Sequence, residues 1–591
     1  MTCRRDPFRG PAYALALLFA LSGCGSGEPE LTPLEQAQLS LDNGDGLGAE
    51  IALRKLLEQG VPPEQLAAYI GQAELLQGQF AEARRWLGEG RFSESSRGYG
   101  FHMLGRLEMA EGDLAAAGRA FDRAFASIPD SADLWVDVAR LRFRGGEQAQ
   151  AIEASKRAVE LGPENPAALQ LRAQLVRDAD GLRASLPWFE AALEHNPDNI
   201  ELLGEYAATL GDLGRAQDML ATVRRMAEID DRYPRILYLQ SVLAARAGKF
   251  DLARTLLQRV EPMLRQTPAV LVLSGIVDME NGNYESAAQA FDRLVTMQPD
   301  NSRARHLLAR SVALGLNEAE LAHRFTDLAQ RSSASPWLRI LLARAYEADE
   351  EREKAAALLD RAAEPKANGL HALPGHTPLS VAEMRDDDSG SNVLSLVRGR
   401  ILAGQPAAAV REAEAFRKRF PGSADAMALA GDAYRANGDT ERALGHYRGA
   451  ASIRRTWPLV KRMAGAYRFA GRGREAAMLL ERHFAGDPGN AEAAGELARI
   501  AMASGHWPRA AMLLDHALDH GGERDPSLWA LRAIAARQLG DDELAYDAAV
   551  FAYALQPMSR ETTALLTQLL AEYGEDEAAV AFADKLRLMA R

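Results

Sequence analysis

His516 and His520 stand four residues apart with Asp515 and Asp519 beside them, the spacing that could offer two imidazoles from one helical face to a metal or a proton. A second candidate lies in the segment 366–392, where His371 and His376 flank Pro374-Gly375, and Asp386, Asp388 and Gly390 are spaced like the first half of a calcium loop. The acidic ligand such a loop needs at its twelfth place is absent, because that place is Val397. A solvated helix end for the histidine pair and a linker for 366–392 are the favoured readings. No G-x-x-x-x-G-K-[ST], G-x-S-x-G or H-E-x-x-H motif occurs, and no dinucleotide glycine pattern follows a strand. We therefore expect no catalytic residue, no metal and no cofactor. The two cysteines, Cys3 and Cys24, leave the body of the chain without a disulfide or a thiolate site.

The elements that would have to position any functional side chain are helices. Of the 591 residues 47% are hydrophobic and 26% charged, aromatics are few at 7%, and helix formers such as Ala, Leu, Arg and Glu prevail. The net charge of −13 argues against nonspecific binding to nucleic acid or to anionic lipid.

The chain is periodic. From Glu64 through Gly98, Ala132, Pro166, Ile200, Pro234, Pro268, Ser302 and Pro336 it steps by 34 residues without insertion. The eighth place of each unit is small (Gly71, Gly105, Ala139, Ala173, Ala207, Ser241, Gly275, Ala309, Ala343), which lets two helix axes approach closely where they cross. The twentieth is mostly small as well, as at Ala83, Ala117, Ala151, Ala253 and Ala287, with Met219 and Leu321 as departures. Glycine at the fifteenth place, as at Gly112, Gly146 and Gly214, should end the first helix in a left-handed conformation. Proline at the thirty-second, as at Pro129, Pro163 and Pro197, should stop the second. The register resumes near Gly390 and continues from Ala424, Trp457, Ala491, Pro526 and Arg560, for about sixteen units in all. Weak places are the 366–392 segment, the Asp180-Gly181 turn, and the unit from Ser302, where Leu316 holds the glycine place and fraying or a bend is expected.

This pattern resembles the tetratricopeptide repeat, and the step of 34 separates it from HEAT-type units of about 40 to 47 residues. The resemblance implies an all-α fold, an α-solenoid in which antiparallel helix pairs wind into a right-handed superhelix. It further implies a concave groove lined by the first helix of each unit, chiefly through its second, fifth, ninth and twelfth places. The ninth place then reads Arg106, Arg140, Gln174, Ala208, Val242, Ile276, Arg310, Arg344, Arg398 and later Arg499. The twelfth adds Phe143, Arg177, Met279, Arg435, Arg468 and Arg537. An arginine ladder at both ends would flank an apolar middle of Tyr238, Val242, Val272, Ile276 and Met279. Such a groove suits an acidic peptide or an anionic polysaccharide. Alternatively, the arginines bridge to Glu and Asp of neighbouring units.

The address is written in the first 33 residues. Three arginines precede Ala12–Leu21, an apolar run too short to span a bilayer but of signal-peptide length. Leu21-Ser22-Gly23-Cys24 follows and resembles the lipobox of bacterial lipoproteins. That implies a cleaved signal peptide 1–23, lipidation of Cys24, a tether 24–33, and anchorage in the outer membrane facing the periplasm, since Gly25 is not an aspartate. Behind it we expect an N-terminal repeat block 34–365, a loop or seam 366–392, and a C-terminal block 393–591.

The opening repeats, Asn43-Gly44-Asp45, Ala49 to Leu57 and Gly78 to Ala83, look like the start of the tetratricopeptide lipoproteins that accompany PEP-CTERM/exosortase loci. The resemblance implies a non-enzymatic scaffold for protein partners in exopolysaccharide biosynthesis, export or protein sorting. An outer-membrane assembly or secretin-pilot lipoprotein is a second reading, and an enzyme with its site in 366–392 a third.

Overall fold

The computed structural model describes residues 31–260, 262–299, 301–331, 334–363, 379–385 and 389–589. The leader, Cys24 and most of the tether lie outside the described residues, as do His371, His376, Asp386 and Asp388.

Among the described residues the chain is helical without a strand. Sixteen helix pairs follow one another, and two short helices, Pro262–Arg265 and Leu379–Met384, stand outside the pairing. Two compact units divide in sequence between Pro129 and Asp130. The first holds three pairs, from Pro33–Asp42 with Gly46–Glu58 to Arg97–Glu111 with Leu114–Phe125. The second holds thirteen, from Ala132–Arg144 with Gln148–Leu161 to Arg560–Glu572 with Asp576–Met589.

First helices begin at Ala132, Pro166, Ile200, Pro234, Pro268, Ser302 and Pro336, and again at Gly390, Ala424, Trp457, Ala491, Pro526 and Arg560, in the register expected. Their starts are fixed by side chains that accept the otherwise unsatisfied N–H groups of the first turn. Ser131, Asn165, Asn199, Asn301, Ser335, Ser423 and Asn490 each accept from the backbone N–H three residues on. Their ends carry the left-handed residue that reverses the chain, a glycine in most units, including Gly146, Gly214 and Gly438.

In the unit from Ser302 the glycine place is filled without loss of either helix. Both helices form, and Leu316 itself adopts the left-handed φ of 55°, as Glu350 does at 63° in the next unit. The pairing of the two helices over-determines the turn, so these residues are held in a conformation their Cβ disfavours.

The core repeats with the units. Ala139, Ala173, Ala207, Ala309 and Ala343, all at the eighth place, are completely buried. The departures at the twentieth place, Met219 and Leu321, are buried too, so bulk there is absorbed by neighbours.

Within the second unit the chain also touches itself at long range. The helix Thr440–Ile453 packs on Gln148–Leu161 and Pro166–Asp180. Ala149 and Ile152 thereby join an apolar core otherwise built by residues 424–535.

Candidate binding surface

The ninth-place arginines do not share one environment. Arg106 is half-buried and lies over Met103, its Nη1 3.9 Å from the sulfur. Arg140 is exposed and pairs with Asp137 on its own helix at 3.1 Å. Arg310 meets Glu523 at 3.1 Å, more than 200 residues away in sequence. Arg344 pairs with Glu347 at 2.5 Å and also donates to the carbonyl of Ala554. Arg398 is half-buried on the helix Gly390–Leu402, and exposed Arg499 donates to Ser527 Oγ at 3.1 Å.

At the twelfth place a regular bridge appears. Arg177 Nη1 lies 3.1 Å from Glu205, and Arg468 lies 2.8 Å from Glu496, in each case the sixth place of the following unit. Arg537 reaches Glu572 at 2.8 Å and Arg435 donates to the carbonyl of Arg462 at 3.3 Å. Glu205 is held from both sides, by Arg177 and by Arg235 at 2.8 Å. Burial pushes its carboxyl up, and the hydrogen bonds and charges of Arg235 and Arg177 outweigh that and leave it below the usual range.

The apolar middle is divided between neighbouring cores. Tyr238 and Val242 pack in the core around Leu203, Leu210 and Leu239, whereas Val272, Ile276 and buried Met279 pack with Leu271, Leu294 and Leu308. Burial raises the Tyr238 phenol above its ordinary value. These side chains are partly enclosed by their own units, so the surface they offer is narrower than their spacing in the sequence suggests.

His516 and His520 stack on each other with ring centroids 3.9 Å apart. His516 Nε2 lies 2.6 Å from the carbonyl of Pro488, and His520 Nδ1 lies 2.8 Å from that of His516. Asp515 is engaged by Arg532 at 2.6 Å. The imidazoles thus pair with each other and with backbone. Among the described residues no group of His, Cys, Asp and Glu is arranged to hold a metal ion.

With this geometry, the tetratricopeptide repeat family matches at residues 102–166, 201–269, 273–323, 396–458 and 470–535. The chain belongs to the tetratricopeptide-repeat family. A curated relative, the Protein CTR9 homolog of Arabidopsis thaliana, is 29% identical over 147 residues, a stretch that spans 25% of this chain and only 13% of that protein. Solved structures similar to the chain include the APC/C hetero-tetramer Cut9-Hcn1, at 12% identity and a TM-score of 0.41 over 95% of this chain and 94% of that one. Human IFIT1 in a dimer with m7Gppp-AAAA follows at 16% identity and 0.35, over 71% and 98%. A tetratricopeptide repeat protein from Parabacteroides merdae is 18% identical with a TM-score of 0.30, over 39% and 91%.

One relationship inside these tetratricopeptide repeats is seen only in the structure. The eighth-place residue lies against the residue sixteen positions later on the second helix, and where the first is glycine the second is large. A Cβ on Gly71, Gly105, Gly275 or Gly431 would strike Leu87, Phe121, Phe291 or Tyr447 respectively. Its trace in the sequence is a glycine at one place and a bulky residue at a fixed distance beyond it.

Proposed function

We propose that this chain is a non-enzymatic scaffold that binds extended, acidic segments of protein partners along the first helices of its repeats. The observation that carries the reading is the repetition of the helix pair, three times in the first unit and thirteen times among the described residues of the second, with first helices recurring at a nearly constant sequence interval. Exposed Arg140 and Arg499 supply guanidiniums whose planar forks match carboxylates. The leader motif supports anchorage through a lipid at Cys24 in the outer membrane, with the array in the periplasm. The resemblance of the opening repeats supports a place in exopolysaccharide biosynthesis or export, or in the sorting of PEP-CTERM proteins.

The test uses the full chain expressed in a bacterial envelope, with a photo-crosslinking residue placed at Arg140 or Arg499. Capture of proteins carrying acidic extended segments, suppressed by added polyglutamate, is expected, and capture suppressed by anionic polysaccharide alone would redirect the ligand class. Failure of either site to capture anything from envelope extracts would remove the scaffold reading. Replacement of Cys24 by Ser should release the chain from the membrane fraction, and continued sedimentation with membranes would count against the anchor.

A further inference from the structure

The sequence singles out Asp180-Gly181 as a turn that breaks the repeat consensus, and the structure shows what the turn touches. Arg455 donates its backbone N–H to the carbonyl of Asp178 at 2.9 Å and its guanidinium to the carbonyl of Asp180 at 2.8 Å. Arg482 pairs with the Asp180 carboxylate at 3.4 Å, and a Cβ on Gly181 would come into van der Waals contact with Gly486. These partners lie 275 and 302 residues apart, roughly eight to nine repeat lengths.

A second point of approach reinforces the first. The N–H of Ala149 donates to the carbonyl of Gly422 at 3.0 Å, and Gln148 Oε1 accepts from the N–H of Ala424 at 2.9 Å. A Cβ at Gly422 would overlap the Gln150 side chain. The φ of Gly422 lies outside the left-handed region, so the backbone does not call for glycine there. The repeat does not call for it either, since the same place holds Glu164, Asp198, Arg232 and Gln266 in other units. The close approach at Gly422 is instead that of the far end of the Gln150 side chain, brought there from a distant segment. Farther along, Arg310 meets Glu523, Arg344 meets the carbonyl of Ala554, and Met558 joins the core around Leu308 and Leu342.

We infer that these contacts form a clasp that closes the second unit on itself and gates the first-helix arginines Arg310 and Arg344. While the clasp is shut, Glu523 and the Ala554 carbonyl occupy those guanidiniums. A ligand reaches them only when residues 422 and 455 release the start of the helix Gln148–Leu161 and the end of the helix Pro166–Asp180 with Gly181. The contacts are made by helix ends and linkers through hydrogen bonds and ion pairs beside an apolar strip, so they can part without unfolding a repeat.

The experiment takes the full chain with Gly422→Trp and, separately, Arg455→Glu, both placed in linkers between helices. Circular dichroism should be unchanged while the radius of gyration from small-angle scattering rises. Modification of Arg310 and Arg344 by phenylglyoxal, read by mass spectrometry, should increase several-fold. In a background with Cys3 and Cys24 replaced by Ser, Gln150→Cys with Gly422→Cys should form a disulfide on mild oxidation. An unchanged radius and unchanged modification in both helical variants would overturn the clasp. If the variants lose helicity, absence of the disulfide would overturn it instead.

Discussion

Gly431 lies so close to the Tyr447 ring that a Cβ on it would stand 2.5 Å from the ring carbons. Tyr447 is fully buried, and its hydroxyl donates at 2.7 Å to Asp432, which also takes Arg462 at 2.5 Å. The small residue admits the ring, and the neighbouring aspartate satisfies its one polar atom. Burial, together with the adjacent carboxylate, raises the phenol well above its ordinary value, so it stays protonated and donating.

Gly431→Ala should therefore destabilise the unit around Ala424–Ile453 by roughly 1 to 3 kcal/mol through overpacking. Amide exchange across the helices Ala424–Ala436 and Thr440–Ile453 should speed up, with little change beyond the adjoining units. Exchange rates identical to those of the parent chain would show that the ring can move aside.

Leu316→Gly and Glu350→Gly should each stabilise, in contrast to most substitutions toward glycine. Both residues hold a positive φ in the turn between paired helices, and Leu316 is largely exposed. Relief of the left-handed backbone is worth roughly 1 to 2 kcal/mol, offset in part by the greater freedom of glycine in the unfolded chain. A raised midpoint for local unfolding of the unit from Ser302 is the expected outcome, and a lowered one would rule out strain at Leu316.

Glu205 should make part of the stability depend on pH. Its folded value is depressed by Arg235 and Arg177 in spite of burial. A depressed carboxyl contributes stability that is fully present above its unfolded value, about 4.3, and is lost as pH falls through the folded value. Glu205→Gln should accordingly loosen the helices Pro166–Asp180, Ile200–Asp212 and Pro234–Arg246 near neutral pH. The difference from the parent should shrink as the pH drops below about 4. A difference that stays constant from pH 7 to pH 3 would assign the effect to packing and not to charge.

Ala151→Leu places a branched side chain at a completely buried position of the helix Gln148–Leu161. Overpacking of this kind costs roughly 1 to 3 kcal/mol, and in a repeat array the loss should first appear in the units that touch the site. Hydrogen exchange should report early opening there and later opening elsewhere. A single transition at all sites would contradict stability that sums over units.

The succession of helix pairs was legible because each unit closes locally. A small residue at the eighth place, a left-handed residue at the fifteenth, a proline at the thirty-second and a polar cap between units all act within one or two helices, over distances a linear reading can count. The arrangement around 366–392 was not, since that segment carries no period and holds no residue whose partner can be inferred from spacing. Bridges such as Arg177 to Glu205 were foreseen as a class, yet their pairing of the twelfth place with the sixth of the next unit needed the stagger between successive helices.

The sequence alone, then, determined the repeat and its register. Tertiary structure decided which arginines meet the chain's own acceptors, as Arg310 does with Glu523, and which distant segment comes against Gly422. The reason is physical: local contacts recur with the period and leave a pattern. The approach of turns eight repeats apart depends on small rotations accumulated from unit to unit, which no single interval records.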